Sequence, residues 1–281
     1  MQEFRSLGPA GLDAFVRKFG SFASPHLDAL CAQKDAHTSM LYWFTDLDAA
    51  IAEARRTKRP ILSLRLLGRL DEELSCANSR FFRKSLYIAP AINRALRERF
   101  VLHWQSVRPV PKVTIDFGNG KTLVKTLTGN STHLVLDMFG RPVDALPGLF
   151  SAEVFAQLLV RAHAKAMADR RQVAAMHRRD LERPVLARRA PAPRAFEASR
   201  LAAAKHMVEL PVLRNVSFDV DADTTQNLEL HAQVHQLFAS GMDWTIEQLV
   251  DWMYRELFLM PPDDPALGLD IPDPFSSPLL A

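Results

Sequence analysis

The sequence predicts an α/β fold, and three observations carry that prediction. Ile61 to Leu67 (ILSLRLL) is a nearly continuous apolar run, the pattern of a strand covered on both faces. A helical stripe precedes it, and a second strand signal, Phe100-Val101-Leu102-His103-Trp104, follows after more helical sequence. Two hairpin patterns then lead into a helix capped by Ser151. The expected architecture is a central mixed sheet flanked by helices, with a helical segment before it and a helical extension after it.

Each element has its own signal. Met1 to about Met40 reads as short helical pieces, Leu12-Asp13-Ala14-Phe15-Val16 and then Leu27-Asp28-Ala29-Leu30-Cys31. Thr45-Asp46-Leu47-Asp48 is an acidic cap, and Leu47, Ala50, Ile51 and Ala54 form the apolar stripe of the helix behind it. Thr57-Lys58-Arg59-Pro60 stops that helix, and Gly68 ends the strand that follows. Leu70 to Tyr87 reads as one cysteine-bearing helix, and Ala91 to Leu96 as a further short one. Phe100 to Val107 is a strand stopped by Pro109 and Pro111. Val113 to Leu127 is a hairpin around Gly118-Asn119-Gly120, because Asn-Gly accepts the positive φ of tight turns. His133 to Leu146 is a second hairpin, turning at Met138-Phe139-Gly140-Arg141. A long helix runs from Ala152 to about Met176.

Beyond it, Arg178 to Arg194 is rich in Arg, Ala and Pro, a linker or a solvated, partly helical connector. An irregular or strand-like piece follows at Val212 to Val220. Two helices come next, one capped by Asp223 and one starting near Asp243. The tail is Pro-rich but carries Leu267, Leu269, Ile271, Phe275 and Leu279, which suits a segment lying across the body. The division expected is a helical segment over 1–40, an α/β domain over 41–177, a connector over 178–197, a helical extension over 198–260 and an extended tail over 261–281.

Bulk properties narrow the function classes. The 281 residues are 48% hydrophobic and 24% charged, enough for a sizeable core. The net charge is only +3, and no basic face is interleaved with stacking aromatics, so nucleic-acid binding is not expected. No run of eighteen apolar residues is present, so no membrane span is expected. The first twenty residues show no apolar leader segment, and two cysteines cannot build a disulfide scaffold; a reducing cytoplasm is the expected setting.

The chemistry concentrates at Cys76-Ala77-Asn78-Ser79, between the two central strand signals. A cysteine at a helix start gains from the positive end of the helix dipole, which favours thiolate. Ser79, one turn on, can donate a hydrogen bond to the sulfur. The order of elements over Leu41 to Lys165 resembles the thioredoxin-like superfamily. The likeness rests on Tyr42-Trp43-Phe44, Asp46-Leu47-Asp48 and Arg59-Pro60 before the first central strand. It continues through Ile92-Asn93 to Arg99-Phe100-Val101, then Leu134 to Val143 and Leu146-Pro147-Gly148.

The resemblance implies that Cys76 stands at the first cysteine of a Cys-x-x-Cys motif and Ser79 at the second. It places Ser131 or Thr132 where the family keeps a cis-proline that shapes the substrate groove. Three departures follow: Ser79 cannot resolve a disulfide, that proline is missing, and Leu70 to Ser75 (LDEELS) looks like an insertion before the cysteine. The reading that follows is a single-cysteine thiol-disulfide oxidoreductase or thiol-dependent peroxide reductase. Cys76 and Ser79 would be catalytic, Ser131 and Thr132 would bind substrate, and the partner would be a protein or a low-molecular-weight thiol or disulfide. The alternative is a catalytically silent thioredoxin-fold module for protein binding or assembly.

Other residues have simpler readings. Cys31 on its apolar piece is a packing residue before it is a distant resolving thiol. His103 beside Trp104 reads as buried, with a base near the motif as the other possibility. No cofactor is implied and no metal site is expected. The nearest approach to one is His231 and His235, one helical turn apart and without an obvious third ligand.

Overall fold

The computed structural model describes residues 2–22, 24–126, 130–185, 220–265 and 267. Its centre is a four-stranded mixed sheet of β1 (Ile61–Leu67), β2 (Val101–Arg108), β5 (Ser131–Leu136) and β6 (Pro142–Pro147), in the order β2-β1-β5-β6. β1 and β2 run parallel; β5 is antiparallel to β1, and β6 to β5. Every residue of β1, β5 and β6 is buried. A separate two-stranded hairpin, β3 (Lys112–Asp116) with β4 (Thr122–Thr126), stands where the Asn119-Gly120 turn predicts it.

The N-terminal segment is helical as expected: α1 (Gln2–Ser6), α2 (Pro9–Phe19), α3 (Pro25–Cys31) and α4 (Ala36–Ser39). Leu12, Phe15, Leu27, Leu30, Cys31, Ala36 and Tyr42 form a small core of their own there. α5 (Leu47–Thr57) starts at Asp46, whose carboxylate accepts the Ala49 N–H at 2.7 Å, and buries Ala50 and Ala54. α7 (Pro90–Arg99) leads into β2. The β5–β6 turn is tied by Asp137, whose Oδ1 accepts the backbone N–H of Phe139 and Arg141.

Three readings of the sequence are corrected. The cysteine helix does not start at Leu70: residues up to Ser75 form turns, α6 spans only Ala77–Phe81, and a π-helical turn covers Phe82–Leu86. The long helix after Ser151 is two helices, α8 (Ala152–Met167) and α9 (Arg170–Glu182), because Asp169 caps a new start by accepting the Arg171 N–H. Arg178, where the partly helical connector is expected to begin, lies within α9. Asp223 lies inside α10 (Val220–Ala239) rather than at its cap. The following helix, α11 (Ile246–Trp252), starts at Thr245 in a capping box with Gln248, and a second π-helical turn, Met253–Leu257, closes it. Residues 186–219, including the strand-like piece at Val212, lie outside the described residues, as does most of the Pro-rich tail.

The helical extension packs against the sheet. β6 is an edge strand in the ladder, yet α8 and α10 pack on it, which shields an edge that would otherwise be open to pairing. Gly148 marks the tightest approach. Its φ is +73°, and a Cβ there would stand 2.2 Å from Asn227 Oδ1, while Asn227 Nδ2 donates to the Leu149 carbonyl at 2.8 Å.

Candidate functional site

Cys76 is the N-cap of α6, so the turn geometry puts its sulfur at a helix start after all. The Ser79 backbone N–H points at Sγ at 3.4 Å. The Ser79 hydroxyl is engaged elsewhere, 2.9 Å from the Cys76 carbonyl oxygen and 2.6 Å from the Ser75 hydroxyl. Cys76 and Ser79 both have no exposed surface. Burial pushes the Cys76 thiol up, and the hydrogen bonds of Ser79 and the charge of Arg80 offset this only in part. The dipole of a five-residue helix is outweighed by desolvation, so the group is held as a neutral thiol.

The carboxylates before it are paired with cations. Asp71 and Glu72 pair with Arg69, and Glu73 lies 3.9 Å from Lys84. Arg65 on β1 is itself buried, hydrogen-bonded to Gln105, and pushed down to about 10 by desolvation.

Ser131 and Thr132 are fully buried on β5, a central strand with neighbours on both sides. The Ser131 carbonyl accepts the Gly148 N–H at 2.7 Å, and the Thr132 hydroxyl donates to the Leu146 carbonyl at 3.2 Å. Their polar backbone is thus largely committed to the protein itself. His133, next along the strand, went unnoticed in the sequence. It is fully buried, its Nε2 is 2.7 Å from the Tyr87 hydroxyl, and Phe82 and Phe155 pack against its ring. Burial pushes it down to about 3.

His103 is also buried, 2.8 Å from the Ser63 hydroxyl through Nδ1, and burial lowers it to about 3. Cys31 is buried in the small N-terminal core and pushed up to about 12 by desolvation. Both cysteines are free thiols.

A dense polar cluster lies at β6, where sequence reasoning saw only two histidines. Asp144 is buried at the middle of β6, and Lys165 from α8 donates to its Oδ2 at 3.0 Å. Lys165 also reaches Asp180 of α9 at 2.5 Å, and Arg161 meets Asp180 from the rim at 3.2 Å. His231 of α10 places Nε2 3.2 Å from Asp144 Oδ1. His177 of α9 and His235 of α10 meet Nδ1 to Nδ1 at 2.8 Å, with Phe238 stacked on the His177 ring. Burial alone would raise the Asp144 carboxyl, but the Lys165 ammonium and His231 hold it well below the usual carboxylate range. Burial disfavours the Lys165 charge, and the two carboxylates more than compensate. His231 and His235 are both buried, and Asp144 stands beside them as a third group able to ligate a metal.

Fold and site define a mixed α/β protein whose central thiol is sealed and whose C-terminal helices are tied to the sheet by a buried charged cluster. No helix among the described residues is long and apolar enough to cross a membrane. No protein-family model, curated protein or solved structure matches the chain.

Proposed function

We propose that this chain is a thioredoxin-like module without thiol catalysis, kept for protein binding or assembly. The observation that carries the reading is the fully buried, neutral Cys76 thiol, to which an incoming disulfide or peroxide has no in-line access. The sheet order β2-β1-β5-β6, with one parallel pair and two antiparallel ones, supports the thioredoxin-like part. The helical segments at both ends support the module part, since they add surface and leave the thiol covered. On that added surface, Phe19 and Phe22 are 53% and 81% exposed beside Phe4 and Phe15, and such aromatic clusters suit a protein partner.

A second reading, single-thiol exchange through Cys76, draws on the N-cap position and the Ser79 N–H aimed at the sulfur. One comparison separates the two. The wild-type chain and Cys76→Ser are assayed for reduction of a disulfide-bonded peptide with glutathione as reductant. The module reading expects equal, background rates. A wild-type rate well above that of Cys76→Ser would replace it with the exchange reading.

A further inference from the structure

We propose that Asp144, His231 and His235 bind a divalent transition-metal cation of the zinc type, which fastens α10 to the edge of the sheet. These three residues are 0%, 3% and 6% exposed, and one potential ligand atom from each lies within 4.8 Å of the others. Two imidazoles and one carboxylate suit zinc better than the harder cations, which prefer all-oxygen sites.

Hydrogen bonding sets the histidine tautomers. His177 Nε2 lies 2.8 Å from the Val143 carbonyl, which can only accept, so Nε2 carries the proton. The neutral His177 ring then accepts at Nδ1, and His235 must donate from its own Nδ1. That leaves a lone pair on His235 Nε2, and Asp180 Oδ2, 3.9 Å away, is itself an acceptor. A ring with one nitrogen oriented by a hydrogen bond and a lone pair on the other is how a metal-ligating histidine is prepared.

The Asp144–His231 distance also fits. Asp144 Oδ1 and His231 Nε2 are 3.2 Å apart, and a cation about 2.0–2.1 Å from each would subtend an angle of about 100°, close to tetrahedral. Binding would transfer the His231 proton from Nε2 to Nδ1. Lys165 occupies the other carboxylate oxygen, Oδ2, and keeps Asp180 as its second partner, so Oδ1 remains for the metal. The ligands come from β6 and α10, 87 residues apart, so occupancy would bind the C-terminal extension to the sheet.

The test uses the full chain, stripped with a chelator, dialysed against Zn2+ and freed of unbound metal. The expected result is about one Zn2+ per chain and a melting temperature raised by the metal. His235→Gln and His231→Gln should lose both, while His26→Gln, at an exposed position, should lose neither. Titration of the unaltered chain with Co2+, read by its visible absorption, decides the matter without any variant: tetrahedral-type bands are expected. Failure of the wild-type chain to take up Zn2+ or to give those bands would overturn the proposal. So would uptake left unchanged in a folded His235→Gln chain.

Discussion

Mild acid should destabilise this protein through two buried histidines. His103 and His133 sit on β2 and β5, each buried and each pushed from 6.5 down to about 3 by desolvation. In the unfolded chain both titrate normally. A group lowered in the folded state gives stability that is complete above its unfolded value and is lost as pH falls toward the folded one. Between pH 7 and pH 5 the unfolded state therefore gains protons that the folded state refuses. At 1.36 kcal/mol per unit below 6.5, each ring costs about 2 kcal/mol over that interval, and the pair about 4 kcal/mol.

His177 and His235 are lowered in the same direction, so the wild-type loss exceeds that sum. Single variants isolate the terms. Denaturant unfolding of wild type, His103→Gln and His133→Gln at pH 7 and pH 5 gives the loss for each. Each variant should lose about 2 kcal/mol less than wild type on acidification, whatever its stability at pH 7. Equal losses in all three proteins would refute the claim that these rings are held neutral by burial.

Two further predictions concern the docking of the helical extension. Gly148→Ala should destabilise by about 2–3 kcal/mol, from the left-handed φ and from the lost hydrogen bond between Asn227 and Leu149. Adding Asn227→Ala should remove the steric part, so a double-mutant cycle showing no coupling would count against the contact. Lys165→Met leaves Asp144 and Asp180 without their shared ammonium and should cost about 3–5 kcal/mol in denaturant unfolding. A loss below about 1 kcal/mol would mean that the cluster is not closed to water.

What the sequence made legible was what neighbouring residues decide. The apolar run of β1, the Gly118-Asn119-Gly120 turn, the Asp46 and Ser151 caps and the N-terminal helices all follow from local patterns, and the structure contains them. The break at Ala168 was hidden because Ala152 to Met176 contains no Gly or Pro; the chain turns there only through the Asp169 cap and the packing beyond it. Leu70 to Ser75 could equally have been a first helical turn, which is why the start of α6 was misplaced. The charged cluster was invisible for a different reason. Asp144 looks like an ordinary strand residue until Lys165, Asp180 and His231 arrive from 21, 36 and 87 positions away. His133 likewise gains its meaning from Tyr87, 46 residues earlier.

The most direct measurement is the rate at which the native chain reacts with an alkylating reagent at neutral pH, read by mass for each cysteine. Both thiols should stay unmodified in the folded protein and react together once denaturant unfolds it. Alkylation of Cys76 in the folded protein as fast as that of a free cysteine would contradict the sealed thiol on which the account stands.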